Sequence, residues 1–205
     1  MDTTAIVLAG GRASRMNYKE KAWMPHHGKP LLSHVLDSIS PQVDMILISR
    51  NNTRDPRYDE LPYPCITDME LSDKELADKK LAAIDSDDEV NDQKGPLSGI
   101  ASCARHVKTP LTLVVPCDTP RLPNDLVQKL LGGLGDATVV VAHDGNNEQP
   151  LVFLARTRAL EGIDKYLKSG RRSVKGWLDG VNHNKVHFVT GSGEFENINT
   201  VDQLA

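Results

Sequence analysis

Glycines and cations cluster near the start of the sequence, where an apolar run ends. The segment Leu8–Met16, LAGGRASRM, places two glycines at the end of the predicted strand Ala5–Ala9. Arg12 and Arg15 lie within it, and Lys21 follows. A glycine turn presents backbone N–H groups to phosphate oxygens, and basic side chains supply the opposing charge. These residues predict a polyphosphate site, and the alternative is a strand-to-loop turn with solvated arginines. The spacing excludes a Walker loop and a GxGxxG dinucleotide fingerprint.

A carboxylate follows a second apolar run. Asp118 comes directly after Leu111–Pro116, which predicts a buried strand. Ligands of parallel sheets bind at the carboxyl ends of the strands, and Mg²⁺ prefers carboxylate oxygens together with substrate phosphates. Asp118 is therefore predicted to anchor the metal of a nucleotide. The alternative role is a cap of the following helix, for which Pro123–Asp125 offers a better start.

Small residues at Gly95–Gly99 precede a predicted helix, Ile100–Val107. They allow the backbone to approach a flat ligand such as a base or ribose, although Ser98 could equally be an ordinary helix cap. Asp68 comes at the end of another predicted strand. It could accept hydrogen bonds from a base or sugar, or act as a turn residue.

Two further polar pairs lie in the C-terminal third. Arg171 and Arg172 follow a predicted turn at Ser169-Gly170 and suit a second phosphate, or form an exposed surface pair. Asn197 and Asn199 are predicted on one face of a short strand. Their amides could hydrogen-bond a cofactor or complete a metal shell. The alternative is an edge strand, with Asn199 or Thr200 capping a last helix.

Alternating strand-like and helix-like segments must position these residues. The predicted strands are Ala5–Ala9, Met45–Ser49, Pro64–Thr67, Leu111–Pro116, Ala137–Ala142, Leu151–Ala155 and Lys185–Val189. The predicted helices are Leu31–Ile39, Ile100–Val107 and Asp125–Leu131. This alternation predicts an α/β fold, a three-layer sandwich whose central, mostly parallel sheet is covered on both faces.

Length and composition favour one domain over residues 1–205, with an acidic insertion at Met69–Lys94 that is either solvated or a lid over the nucleotide site. The net charge of −4 argues against nucleic acid or an anionic membrane as the main partner. Three scattered cysteines favour neither a disulfide framework nor a structural zinc site. With a strand starting almost at once and no apolar run of spanning length, we expect no signal peptide, no membrane and a cytoplasmic protein.

These motifs occur together in an order that resembles the molybdenum cofactor guanylyltransferases, the molybdopterin-guanine dinucleotide biosynthesis protein A family. The matching segments are Leu8–Gly11, Arg15-Met16, Lys21, Gly28–Leu31, Gly95–Gly99, Pro116–Pro120, Gly170–Arg172 and Asn197–Thr200. The resemblance implies a nucleotide-diphosphosugar-transferase-like fold. It also implies that GMP passes from GTP to the phosphate of molybdenum-molybdopterin with Mg²⁺, giving molybdopterin guanine dinucleotide and pyrophosphate. Transient contact with molybdenum-insertion or recipient molybdoenzymes is expected on the resemblance alone.

The resemblance also implies roles for individual residues. The implied catalytic residues are Arg15, Lys21 and Asp118, with Asp118 also the metal ligand. The implied nucleotide-binding residues are Leu8, Ala9, Gly10, Gly11, Lys21, Asn51, Asp68, Gly95, Pro96, Leu97 and Asp118. The implied pterin-binding residues are Arg171, Arg172, Asn197 and Asn199.

The sequence departs from the family pattern at a few positions. Asn17–Glu20 replaces a Gly-Gly-containing stretch before Lys21, and Gln149-Pro150 replaces His-Pro. Two alternatives therefore stay open: a related CTP- or UTP-dependent nucleotidyltransferase, and a degenerate homologue that binds nucleotide or cofactor without turnover. Gly10-Gly11 favours guanine, since cytidylyl relatives usually have Ala before the Gly.

Overall fold

Strands and helices alternate along the chain in the computed structural model, which describes residues 2–10, 20–50, 55–67, 95–188 and 193–198. The strands are β1 (Thr3–Leu8), β2 (Pro25–His26), β3 (Lys29–Pro30), β4 (Met45–Arg50), β5 (Cys65–Thr67), β6 (Leu111–Pro116), β7 (Val139–His143), β8 (Glu148–Arg156) and β9 (His183–His187). The α-helices are α1 (Leu31–Ile39), α2 (Gly95–Ala104), α3 (Leu126–Leu134), α4 (Gly162–Lys168) and α5 (Val174–Leu178). Short 3₁₀ turns cover Lys21–Trp23, Ser40–Gln42, Pro56–Tyr58 and Thr157–Glu161.

Seven strands form one sheet in the order β5-β4-β1-β6-β8-β7-β9. The pairs β4–β5, β1–β4, β1–β6 and β7–β9 are parallel. Strand β8 runs antiparallel to both of its neighbours, β6 and β7. The predicted mostly parallel sheet is therefore confirmed, and β1, β4, β6 and β7 all end at the same edge.

Two layers of helices cover the sheet because successive strand residues point to opposite faces. Ala5 and Val7 of β1 pack into the cluster on the face of α1 and α3, whereas Ile6 packs into the cluster on the face of α2, α4 and α5. Helix α1 belongs to the first layer because four apolar residues at helical spacing pack into its cluster: Leu32, Val35, Leu36 and Ile39.

Several predicted boundaries shift. Helix α1 and strand β6 have the predicted bounds, and the helix after Pro123 begins at Leu126 with Asp125 as its N-cap. The helix predicted at Ile100–Val107 instead covers Gly95–Ala104, so Gly95–Gly99 is part of the helix rather than a turn before it. The strand predicted from Lys185 begins at His183. The acidic insertion at Met69–Lys94 lies outside the described residues.

Candidate active site

The ends of three neighbouring parallel strands bring the first glycine segment beside the aspartate. Leu8, the last residue of β1, pairs with Ser49 of β4 and with Pro116 of β6. Beyond the strand, the Ala9 N–H donates to the Ser49 carbonyl at 2.8 Å, and the Cys117 N–H donates to the Leu8 carbonyl at 3.1 Å. The carboxyl edge of the sheet therefore places residues 8–10 next to residues 116–118, as predicted for a ligand site.

A cleft opens at this edge and holds about 510 Å³ of space that is open to solvent. Its lining comes from the strand ends and from α2: Leu8, Gly10, Lys21, Ser49, Gly95, Pro96, Gly99, Pro116, Cys117, Asp118 and Leu151. Six residues that the resemblance singled out thus meet in one place, and the sequence analysis did not single out Ser49 and Leu151.

Lys21 and Asp118 form an ion pair inside the cleft. Lys21 Nζ lies 2.5 Å from Asp118 Oδ2, and the side chains are only 13% and 21% exposed. The other carboxylate oxygen, Oδ1, is buried and has no hydrogen-bond partner within the described part of the chain. A buried carboxylate oxygen without a partner is costly unless a cation or donor occupies it. Asp118 is therefore arranged to hold a further positive charge.

The backbone around Lys21 fixes the position of its side chain. Lys21 begins a 3₁₀ turn, which closes when the Met24 N–H donates to the Lys21 carbonyl at 3.1 Å. The Met24 carbonyl then accepts from the N–H of Leu31, the first residue of α1, at 2.9 Å. The buried side chains of Met24, Leu31 and Ile198 pack together in one small cluster. Lys21 is thereby held by packed backbone rather than by a free loop.

Helix α2 contributes its first turns to the cleft. Gly95 adopts φ +66°, which side-chain-bearing residues rarely tolerate, and Pro96 suits the first turn of a helix because it lacks an N–H. Gly95, Pro96 and Gly99 line the cleft. Leu97 does not, because its side chain is 0% exposed and packs in the core on the far side of the helix. The nucleotide-binding role that the resemblance implied for Leu97 stays a prediction, which the buried side chain leaves to the backbone of this residue.

Cys117 lies in the cleft wall next to Asp118. Burial raises the pKa of its thiol above the usual range, and the neighbouring Asp118 carboxylate raises it further. The thiolate, not the thiol, is the nucleophile in cysteine chemistry. Cys117 is therefore a neutral wall residue at physiological pH.

Arg171 and Arg172 follow helix α4 and contact residues of that helix. Arg172 Nη1 donates to the carbonyls of Leu167 and Arg171 at 2.6 and 2.9 Å, which satisfies the C-terminal end of α4. Arg171 Nε donates to Ser169 Oγ at 3.0 Å, and its guanidinium lies 4.4 Å from the centre of the Tyr166 ring. The backbone carbonyl of Arg172 lies 3.9 Å from where a Cβ of Gly95 would be. Arg172 is thus next to the rim of the cleft.

Asn197 is hydrogen-bonded to Thr119, the residue that follows Asp118. Its side-chain carbonyl accepts from Thr119 Oγ1 at 2.8 Å, and the next N–H, that of Ile198, donates to the Asp118 carbonyl at 2.9 Å. Residues 195–198 do not form the predicted strand. Thr119 was not singled out from the sequence, although it stands within the quoted segment Pro116–Pro120.

Five predicted site residues lie outside the described residues: Gly11, Arg15, Asn51, Asp68 and Asn199. Among the residues that are described, no group of three or more metal-ligating side chains could by itself hold an ion. Mg²⁺ is usually bound by one or two carboxylates together with substrate phosphates and water. Nor does any helix of the described ranges have the length and apolar character needed to cross a bilayer.

The sheet and its cleft define a nucleotide-handling α/β enzyme, since parallel strands end on a glycine-lined cleft with a lysine and an aspartate. A sequence profile of the MobA-like NTP transferase domain matches residues 5–185. The chain belongs to this family of nucleotidyltransferases.

Individual relatives match over nearly the whole chain. A molybdenum cofactor guanylyltransferase of Shewanella loihica is 34% identical over 203 residues, covering 97% of this chain and 92% of that protein. The protein of the same name from Shewanella putrefaciens is 32% identical over 201 residues, with the same coverage. The crystal structure of molybdopterin-guanine dinucleotide biosynthesis protein A from Archaeoglobus fulgidus has a TM-score of 0.70 at 20% identity, covers 98% of this chain and 94% of that chain, and shows the same fold.

Proposed function

We propose that this protein transfers GMP from GTP to the terminal phosphate of molybdenum-loaded molybdopterin. An oxygen of the acceptor phosphate forms a bond to the α-phosphorus of GTP, the bond to the bridging oxygen breaks, and pyrophosphate leaves with the electron pair. The similarity to molybdenum cofactor guanylyltransferases supports this reaction. The observation that carries it is the Lys21–Asp118 pair at the strand ends, with one carboxylate oxygen left for a cation.

Lys21 supplies positive charge where the nucleotide phosphates would lie. Its ammonium group shares the cleft with the backbone of Gly10 at the end of β1. Donors that are fixed before the reaction stabilise charge that develops on the leaving group without reorganisation. We extend this role to Arg15, on the resemblance, and assign the guanosine contacts to Asn51 and Asp68 on the same ground.

The residues present also fit Mg²⁺. Asp118 Oδ1 is a buried carboxylate oxygen without a hydrogen-bond partner in the described structure, and a hard cation prefers such an oxygen. Asp118 would hold the ion, which would supply charge neutralisation at the nucleotide phosphates. Lys21 keeps the other oxygen of Asp118 occupied and so fixes the orientation of the carboxylate.

No protein nucleophile or general base is required. The acceptor phosphate is already ionised near neutral pH, and burial keeps the pKa of the Cys117 thiol too high for it to compete. The protein acts by holding the two phosphates in line. We assign the pterin side to Arg171, Arg172, Asn197 and Asn199, of which Arg172 and Asn197 lie near the cleft rim and the Asp118 strand end.

A nucleotide panel tests the proposal. The protein is incubated with Mg²⁺, molybdopterin loaded with molybdenum, and GTP, CTP, UTP or ATP in separate reactions, and pyrophosphate release is measured. We expect GTP to give the highest kcat/KM and the product to carry one guanylyl group per pterin. Faster turnover with CTP than with GTP would show that CTP is the nucleotide substrate and that the guanine assignment is wrong. Calorimetric GTP binding without turnover would identify a binding protein instead.

The proposal places the reaction in the cytoplasm, where GTP is available. The sequence has three scattered cysteines, Cys65, Cys103 and Cys117, a pattern typical of proteins from a reducing compartment. Transient contact with a molybdenum-inserting or recipient enzyme would follow from the chemistry, because the product must be handed on.

A further inference from the structure

The chain returns to the active site through residues 193–198, which we call the C-terminal strap. The strap is attached to the end of β6 by the hydrogen bond from the Ile198 N–H to the Asp118 carbonyl. Ile198 is buried, and it packs against Met24 and Leu31, the residues that hold the Lys21 turn. The strap therefore lies between the segments that carry the two members of the ion pair.

Thr119 fixes which end of the Asn197 amide is available to a ligand. The Thr119 side chain is buried, with the residue only 1% exposed, and its hydroxyl donates to Asn197 Oδ1 at 2.8 Å. The Asn197 residue itself is exposed. An asparagine amide has one accepting end and one donating end. The Thr119 hydroxyl turns Oδ1 toward itself and so fixes the orientation of the amide, which leaves the NH₂ of Nδ2 as the donor that can meet a ligand.

A donor at this position suits an anion and not a metal ion. Metal ions bind the oxygen of an asparagine amide, and that oxygen is turned toward Thr119 here. The NH₂ group, by contrast, complements phosphate oxygens, which only accept hydrogen bonds. Asn197 precedes Ile198, whose N–H donates to the Asp118 carbonyl, so the Asn197 residue lies near the strand end that carries Asp118.

From this geometry we infer that Thr119 is a positioning residue that holds Asn197 as a hydrogen-bond donor to the phosphate of the acceptor substrate. The inference rests on the proposed function for the identity of the acceptor. It assigns to the Asn197 amide the role of a donor to the acceptor phosphate, and to Thr119 the role of fixing the orientation of that amide. Thr119 itself contacts no substrate and acts only through Asn197.

The Thr119→Val variant tests this inference, because valine has nearly the same shape and lacks the hydroxyl. Once the amide is no longer held, we expect the Kd for molybdopterin, measured by calorimetry, and the KM for the acceptor to rise about tenfold, the effect of one hydrogen bond to a charged group. The Kd for GTP and kcat should stay within about twofold. Thr119→Ser keeps the hydroxyl and should restore acceptor binding.

Two further variants separate orientation from structure. Asn197→Asp keeps an oxygen for Thr119 but loses the donors, so acceptor binding should weaken by more than Thr119→Val weakens it. In an Asn197→Ala background, Thr119→Val should have no further effect. The control is Arg121→Ala, which removes the exposed ion pair between Arg121 and Glu196 of the strap; it should leave both Kd values unchanged.

The outcomes are distinguishable. Unchanged acceptor binding in Thr119→Val, an equal loss of GTP binding, or a persisting effect in the Asn197→Ala background would each overturn the positioning role. A wild-type protein that binds molybdopterin but transfers no GMP would overturn the proposed function and leave the positioning role standing on the binding data. A wild-type protein that does not bind molybdopterin would overturn both.

Discussion

Asp118 and Asp144 follow parallel strands at the same edge of the sheet, but their surroundings differ. Asp144 comes after β7 and closes its own turn: Oδ1 accepts from the N–H groups of Asn146 and Asn147 at 2.8 and 2.7 Å, and Oδ2 accepts from Gln149 at 2.7 Å. Asp118 comes after β6, is paired with Lys21 through one oxygen, and keeps the other buried without a partner among the described residues.

This difference separates a carboxylate that is used within the fold from one that we propose binds a cation. Backbone N–H donors, that of Asn147 above all, hold the pKa of Asp144 below its usual value, so its charge is used within the fold. Asp118 Oδ1, by contrast, accepts no hydrogen bond from any of the described residues. Position at the carboxyl edge is therefore not enough to define a site residue, and the hydrogen-bond partners decide.

The largest expected effect comes from removing the charge of each carboxylate in turn. Asp118→Asn should lower kcat/KM for guanylyl transfer by about 10³-fold or more, because it removes the anchor for the cation. Asp144→Asn should change it by less than about threefold, since this side chain only closes a turn. Near-normal turnover in Asp118→Asn would show that Asp118 takes no part in the reaction and that it does not differ from Asp144 in function.

The partner of Asp118 gives the next largest effect. Lys21→Met keeps the length of the side chain but loses the ammonium group, and we expect kcat to fall about 100-fold. Lys29→Met is the matched control, since Lys29 makes an exposed ion pair with Asp37 at 2.7 Å. Exposed pairs contribute little, so this variant should equal wild type in turnover and melting temperature. If both variants lost the same activity, the effect would come from the loss of a positive charge as such and not from the contact between Lys21 and Asp118.

Packing on the β9 side should affect stability and not the site. A Cβ at Gly133 of α3 would lie 2.0 Å from Val186 Cγ2, so Gly133→Ala should destabilise the fold by about 1–3 kcal/mol. Gly132 has nothing within 4 Å, and Gly132→Ala should stabilise the helix by about 0.5–1 kcal/mol. Urea unfolding measures both, and the Kd for GTP should be unchanged. A weakened Kd in Gly133→Ala would mean that the two regions are coupled.

The smallest expected effect is on acid stability. The folded-state pKa of Asp144 is lowered, so its stabilising contribution is present above the unfolded pKa of about 3.9 and is lost as the pH falls toward the folded value. Asp144→Asn should therefore make the melting temperature less dependent on pH between about pH 5 and pH 3. An identical pH dependence in wild type and variant would contradict the structural role of this carboxylate.

Local patterns predicted most of the sheet. Apolar runs located β1, β4 and β6 because a parallel strand that is buried on both faces is rich in apolar residues. Strand β8 begins at Glu148, several residues before its apolar run, because its early residues lie toward the edge of the core. The start of α2 was mistaken for a turn, since Gly-Pro is typical of both a turn and the first turn of a helix.

The candidate site was predictable where residue type and position in a motif were enough, as for Lys21 and Asp118. The burial of Leu97 was not, because which face of α2 meets the sheet depends on where that helix begins. The contact between Thr119 and Asn197 joins residues 78 positions apart in the sequence, and no local periodicity encodes such a contact.

The C-terminal strap is synthesised after the other described segments of the candidate site. Lys21, Asp118 and all but one of the sheet's strands precede residue 180, so most of the sheet can form while translation is still under way. Ile198, which packs between the Lys21 turn and the Asp118 strand end, leaves the ribosome much later. A nascent chain stalled before that residue would lack the packing that joins the Lys21 turn to the Asp118 strand end, so the proposed site would be completed only after the strands of the sheet have been synthesised.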